Sequence, residues 1–99
     1  MIYMEIKIFI SEIIFTIKRI ENDNEIILFQ NKLVIPKALD IGEKLRYIRK
    51  FMITTVNLYS VKKAHLSTDD SLELGIIELL KIEGTIEELL SSCGVDTWR

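Results

Sequence analysis

The chain has 99 residues, 48% of them hydrophobic and 28% charged, and its formal net charge is −2 at pH 7. This composition is typical of one folded domain and excludes an intrinsically disordered chain. The longest run without a charged residue is 11 residues long, 51–61, and a membrane span needs about 20. We therefore expect a single soluble, intracellular domain over residues 1–99.

The first 36 residues have the composition and periodicity of β-strands. They contain 11 of the 18 isoleucines in the chain, and isoleucine favours strands because it branches at Cβ. Strand patterns cover residues 4–10, 13–20, 25–29 and 33–35. Polar clusters predict turns at residues 21–24 and 30–32. These features predict an antiparallel sheet of three or four strands that ends at Pro36.

After Pro36 the apolar residues recur with helical periodicity. Asp40 and Glu43 have the spacing of a capping box, which predicts the start of a helix. One apolar stripe then follows for five turns, formed by Ile41, Leu45, Ile48, Met52, Val56 and Tyr59. The β-branched residues 53–56 disfavour a helix, so a strand over residues 51–61 is the alternative.

A second helix is predicted to begin at residues 67–70, where acids lie in the first turn. We expect Gly84 to kink or break this helix and Gly94 to end it. Trp98, in the tail, is expected to dock on the core or on a partner. The predicted fold class is α+β, with an N-terminal antiparallel sheet of three to four strands packed against two C-terminal helices, residues 40–64 and 69–93.

Charge is distributed unevenly along the chain. Residues 1–36 have a net charge of −1, residues 37–65 of +5 and residues 66–99 of −6. Four basic side chains lie close together on the first predicted helix: Lys44, Arg46, Arg49 and Lys50. They could contact nucleic-acid phosphates, or they could pair with the acidic second helix, as basic and acidic helices that pack together often do.

The residue types needed for most catalytic sites are scarce. One histidine, His65, and one cysteine, Cys93, cannot build a metal site without many carboxylates, and His65 is expected near a helix C-terminus. The four glycines are isolated and match no phosphate-binding loop. The sequence therefore predicts no catalytic residues, no metal and no cofactor, and a protein that is not an enzyme.

The opening segment MIYMEIKIFISEIIFTIKRIENDNEI, the isoleucine, lysine and glutamate bias and the short length resemble one group of proteins. This is a small family shared by filamentous viruses of hyperthermophilic archaea, the lipothrixviruses and rudiviruses. The resemblance implies a viral protein in an archaeal host cytoplasm and an unusual fold. The family has no assigned function, so the resemblance implies no catalytic residues.

Two functions are compatible with these features. The first is a non-enzymatic viral accessory protein that acts by protein–protein contact, as a homodimer or with another viral or host protein. Its self-association surface would be a sheet edge in residues 2–35 or the apolar helix residues Tyr47, Phe51 and Leu58. The second is a small nucleic-acid-binding regulator that uses Lys44, Arg46, Arg49 and Lys50.

The bias toward lysine and glutamate also predicts high thermal stability, because hyperthermophile proteins are enriched in these residues. We expect a cooperative unfolding transition well above ~45–65 °C, the range of mesophile domains. Differential scanning calorimetry measures this temperature directly, and a midpoint inside the mesophile range would reject the prediction.

Overall fold

The computed structural model describes residues 1–69 and 76–99. In these residues three strands come first, and they are followed by a helix, a strand, a second helix and a last strand. The elements are β1 (Ile2–Ile8), β2 (Glu12–Glu21), β3 (Asn24–Val34), α1 (Ile41–Leu58), β4 (Lys63–Thr68), α2 (Ile76–Ser92) and β5 (Asp96–Trp98).

The strands of the described residues form one five-stranded sheet in the order β3-β2-β1-β4-β5. Strands β1, β2 and β3 are joined as antiparallel hairpins, whereas β4 runs parallel to β1 and β5 runs parallel to β4. Parallel neighbours need a long crossover connection, and the two helices occupy those crossovers. The predicted α+β class, with two helices against a sheet that begins at the N-terminus, is confirmed.

The first predicted turn is confirmed and the second is wrong. Asn22 and Asp23 have positive φ angles of 52° and 64°, as hairpin turns with a right-handed twist require. The turn predicted at residues 30–32 does not form, because β3 continues through them to Val34. These residues are polar because β3 is an edge strand, so its side chains meet solvent.

The helix start predicted from Asp40 and Glu43 is confirmed, with Asp40 as the N-cap residue. The side chain of Asp40 accepts a hydrogen bond of 2.8 Å from the backbone N–H of Glu43, which satisfies one of the free donors of the first turn. The helix continues through the β-branched residues 53–56, so the alternative strand over residues 51–61 is wrong. There the Thr54 and Thr55 hydroxyls donate to backbone carbonyls four residues earlier, at 2.8 and 3.0 Å.

In the C-terminal half, the bounds of the helices differ from the predicted ones. Helix α1 stops at Leu58 instead of residue 64, and Ser67 and Thr68 belong to β4 instead of starting a helix. Of the predicted second helix, residues 70–75 lie outside the described residues. Helix α2 is unbroken at Gly84, and Gly94 follows its end with a φ of 74°, as predicted.

The core lies between the two helices and one face of the sheet. Phe15 of β2 is fully buried at its centre. Its ring contacts Phe29 of β3 at a centroid distance of 5.7 Å and Phe51 of α1 at 5.4 Å. These tilted and edge-to-face contacts join the helix layer to the antiparallel half of the sheet.

We expect Phe15→Ala to lower the free energy of unfolding by about 3–5 kcal/mol, because it removes a large buried ring and leaves a cavity. Urea denaturation of both proteins measures the difference. Ile27→Ala is the matched control, since Ile27 is 56% exposed on β3 and its truncation should change stability by about 0.5 kcal/mol or less. Equal losses in the two variants would contradict this description of the core.

Candidate functional site

The two faces of the sheet differ in character because side chains alternate along each strand. On β1, Met4, Ile6 and Ile8 are at most 1% exposed and join the core with the helices. Tyr3, Glu5 and Lys7 point to the opposite side. We call this opposite side the open face, because both α1 and α2 pack on the other side.

A polar group lies where β1 and β4 end side by side. In the sheet, β2 and β3 lie on one side of β1, and β4 and β5 lie on the other. The order of the strands therefore switches direction between β1 and β4. Ligands of open α/β sheets bind at such switch points, outside the carboxyl ends of the strands. Here Lys7 lies directly opposite Ser67 in the parallel register.

Lys7, Thr16, His65 and Ser67 form what we call the switch-point site. They line an open cavity of about 280 Å³ together with Glu5. Within the described residues Lys7 has no ion pair, and its ammonium lies 5.4 Å from the ring centre of Phe9. The Ser67 hydroxyl is 3.5 Å from the Ile6 carbonyl. The cavity is therefore lined by one ammonium, one carboxylate, two hydroxyls and an imidazole, and of the two hydroxyl residues Thr16 is largely buried.

A hydrogen-bond network crosses the open face beside this site. The Tyr3 hydroxyl donates to Glu25 at 2.8 Å, and the Lys18 ammonium donates to Glu5 at 3.0 Å and to Glu25 at 3.4 Å. The bond from Tyr3, followed by the bond from Lys18, holds the pKa of the Glu25 carboxyl below its usual value. The same bond to Glu25, together with burial, raises the pKa of the Tyr3 phenol.

Three aromatic rings meet on the open face. Trp98 of β5 lies next to His65 of β4 in the parallel register, with ring centres 5.5 Å apart. The ring of Tyr3 lies 6.2 Å from that of Trp98. Tyr3 is only 7% exposed, whereas Trp98 is 43% exposed. We call these three residues the aromatic cluster. Trp98 is predicted from the sequence to dock, as a tail residue, on the core or on a partner, and instead it lies in β5 on the open face with much of its ring in solvent.

The four basic residues predicted as a nucleic-acid patch are divided between two environments. Lys44 pairs with Glu78 at 2.7 Å, and Arg49 pairs with Glu88, so both are neutralised by α2. Arg46 and Lys50 are exposed and have no ion pair among the residues that the structure describes. All four lie on α1, on the other side of the molecule from the open face.

The residues predicted for self-association are not equally available. Phe51 packs against Phe15 in the core, while Tyr47 and Leu58 are 40% and 74% exposed. A shallow cavity on this flank of α1 is lined by Tyr47 and Phe51 but not by Leu58. The homodimer therefore stays a prediction, with Phe51 contributing mainly to the fold.

The switch-point site and the aromatic cluster were missed by the sequence analysis. His65 was expected near a helix C-terminus, and it lies instead within β4. The alternation of buried Ala64 and Leu66 with His65 and Ser67 is a period-two signal that could have revealed this strand. It is only six residues long and follows a helix, so the sequence pattern alone favours a helix end at this position.

Two further observations concern metals and membranes. Among residues 1–69 and 76–99 there is no group of three or more histidine, cysteine, aspartate or glutamate side chains placed to hold a metal ion. In the same residues, no helix combines the length and hydrophobicity that a bilayer crossing requires.

No protein-family model matches the chain, and no curated protein matches it. The resemblance to the archaeal virus family therefore stays a prediction. Among solved structures, RuvC of T. thermophilus bound to a Holliday junction substrate matches with a TM-score of 0.86 and 10% identity, over 99% of this chain and 64% of that one. A second T. thermophilus RuvC structure matches equally well and is covered to 62%.

Phosphatase structures match less closely. The Aquifex aeolicus PPX-GPPA enzyme has a TM-score of 0.63 at 15% identity, and an exopolyphosphatase from Cytophaga hutchinsonii has 0.65 at 11%. The chain covers about a third of each, 34% and 33%. The fold of the described residues thus resembles the ribonuclease H-like fold of these neighbours, and the chain spans less than two thirds of the RuvC chains.

These matches contradict the leading functional prediction. A non-enzymatic accessory protein that acts by protein–protein contact is the wrong interpretation, because the structures that share almost all of this chain's fold are those of enzymes. The expectation of an unusual fold does not hold either. The second hypothesis, a protein that binds nucleic acid, agrees better with the match to RuvC.

The network on the open face can be tested by titration. Tyr3→Phe removes the hydrogen bond that lowers the pKa of Glu25 most, so this pKa should rise toward its usual 4.5. NMR titration of the Glu25 carboxyl carbon measures it, and Tyr47→Phe is the control that should leave it unchanged.

The same bond has a consequence for stability. Because the pKa of Glu25 is lowered on folding, its contribution to stability is present above the unfolded pKa and is lost as the pH falls through the folded one. Tyr3→Phe should therefore lose less stability than the wild type on acidification below about pH 4.5. A Glu25 pKa in the usual range in the wild-type protein would reject the network.

Proposed function

We propose that this chain binds nucleic acid, as a ribonuclease H-like unit of a nucleic-acid-processing enzyme, and that it does so through the open face. The observation that supports this most strongly is the RuvC match, which extends over 99% of the chain. That RuvC structure holds a Holliday junction substrate. The viral origin and the host-cytoplasm location stay predictions, since no comparison addresses them.

The chemistry of the switch-point site suits a phosphodiester backbone. Phosphate oxygens are contacted in nucleic-acid complexes mainly by lysine and arginine, with hydroxyl groups as additional donors. Lys7 supplies an ammonium that no carboxylate neutralises within the described residues, and Ser67 supplies a hydroxyl beside it. These groups lie where the strand order switches, which is the ligand position of the fold.

The open face is nearly balanced in charge. Its strand residues include four lysines and four acids: Lys7, Lys18, Lys32 and Lys63, and Glu5, Glu12, Glu25 and Asp96. Lys18 and Lys32 are held in ion pairs on this face. Long-range attraction of a polyanion is therefore weak, and binding depends on a few local contacts, so the salt dependence should be shallow.

The alternative surface is the exposed ridge of α1. Arg46 and Lys50 lie one turn apart and are free of ion pairs within the described part of the chain. A duplex could contact this ridge, but α2 neutralises the two other cations of the predicted patch. The open face is favoured because it combines a free cation, hydroxyls and aromatic rings at one place.

Charge reversal at Lys7 tests the proposal. Lys7→Glu should weaken binding of a fluorescent four-way DNA junction by about tenfold at low salt and reduce the slope of log K against log salt by about one. Fluorescence anisotropy at several salt concentrations measures both quantities. Lys81→Glu is the matched control, because Lys81 is an exposed lysine of α2 without an ion pair in the described residues.

A double variant, Arg46→Glu with Lys50→Glu, compares the two surfaces directly. The proposal expects a smaller loss from this variant than from Lys7→Glu. It is wrong if the wild-type protein binds no nucleic acid at low salt. It is also wrong if Lys7→Glu and Lys81→Glu bind alike, or if the α1 variant alone abolishes binding.

A further inference from the structure

The aromatic cluster is an unusual feature for a surface that only contacts phosphates. Trp98 is the one tryptophan of the chain, and it lies 43% exposed on a three-residue strand at the sheet edge. Its ring is tilted by 42° from the ring of Tyr3 and by 45° from that of His65. An exposed, fixed indole ring on a sheet is the kind of surface on which nucleic-acid bases stack.

The cluster also borders a recess of suitable size. Met1, Glu5 and Ile20 line an open cavity of about 310 Å³ together with the three aromatic residues. Tyr3 is the least exposed of the three rings, and its hydroxyl donates a hydrogen bond to Glu25. Glu5 at the rim has 44% of its side chain exposed, so one of its oxygens can accept a hydrogen bond from the amino group of a base.

We propose that the open face binds unpaired nucleotides, with a base stacked on Trp98 beside His65 and the adjoining phosphate held by Lys7 and Ser67. This inference rests on the proposed function and names its substrate class: single-stranded or locally unpaired nucleic acid. The near balance of charge on the open face supports stacking as the main source of affinity. A duplex keeps its bases stacked inside and offers this surface only its backbone.

The distances within the sheet are compatible with one bound strand. Ser67 lies two residues beyond His65 on β4, and Trp98 lies on the neighbouring strand β5. With a rise of about 3.3 Å per residue and about 4.8 Å between strands, the phosphate and base positions are about 8 Å apart. One or two nucleotides of an unstacked strand bridge such a separation.

The fluorescence of Trp98 reports directly on this contact, because no other tryptophan contributes to the signal. We would titrate the wild-type protein with a thymidine 12-mer, an abasic 12-mer with the same backbone, and a blunt 12-base-pair duplex. Anisotropy of labelled oligonucleotides would measure binding in parallel. The thymidine 12-mer should bind and quench the tryptophan, whereas the abasic 12-mer and the duplex should bind about tenfold more weakly and leave the fluorescence unchanged.

Two substitutions at the same position separate stacking from folding. Trp98→Ala should weaken binding of the thymidine 12-mer by about tenfold, and Trp98→Phe, which keeps an aromatic face, should lose about threefold or less. Far-UV circular dichroism checks that both variants fold. Lys81→Glu again serves as the control that leaves binding unchanged.

The outcomes distinguish this inference from the proposed function. If all three nucleic acids bind alike without quenching, the face holds only backbone phosphates; the inference is then wrong and the proposed function stands. If none of them binds while the four-way junction does, the inference alone is wrong; if the junction does not bind either, both are wrong. If Trp98→Phe binds as weakly as Trp98→Ala, or if Trp98→Ala binds as well as the wild-type protein, stacking on this ring is rejected.

Discussion

The alternation of side chains along β1 determines most of what this molecule presents to solvent. β1 is the central strand, paired with β2 on one side and with β4 on the other. Its even-numbered residues enter the core, and Tyr3, Glu5 and Lys7 therefore share the open face. A shift of register by one residue would exchange the two sets. Burial of the even-numbered apolar residues of β1 thus fixes Tyr3, Glu5 and Lys7 on the face where a ligand can bind.

The ion pairs between the helices account for part of the uneven charge along the chain. Lys44 and Arg49 of α1 are matched by Glu78 and Glu88 of α2. Such exposed or partly exposed pairs contribute little stability each, but they link the two helices that cover the same side of the sheet. The contrast between residues 37–65 and 66–99 is therefore partly an internal feature of the fold. Two of the four cations that the sequence suggests for nucleic-acid binding, Lys44 and Arg49, are engaged in these ion pairs.

The features that sequence could predict are local ones. The hairpin turn at residues 21–24, the N-cap at Asp40 and the stop at Gly94 each depend on a few neighbouring residues, and all three are present. The strands β4 and β5 were not predicted, because their stability comes from pairing with β1 and β4 rather than from their own composition. Glu5 and His65 are 60 positions apart in the chain yet adjacent in the sheet. No periodicity connects such distant residues.

The same reason explains why the candidate site was missed while the basic helix was noticed. Lys44, Arg46, Arg49 and Lys50 are neighbours in sequence, so their charge is visible as a cluster. The switch-point site takes one or two residues from each of three strands, and the aromatic cluster takes one from each of β1, β4 and β5. Taken alone, the sequence around each of these residues indicates nothing more than a strand. The pairing of β1 with β2 and β4, and of β4 with β5, brings them together.

The central claim is that nucleic acid meets the open face of the sheet rather than the ridge of α1. Amide chemical-shift mapping by NMR, with a short single-stranded oligonucleotide added to isotopically labelled protein, locates the contact without any substitution. The account predicts the largest shift changes at Lys7, His65, Ser67 and Trp98. Changes concentrated around Arg46 and Lys50, with the open-face amides unperturbed, would contradict it.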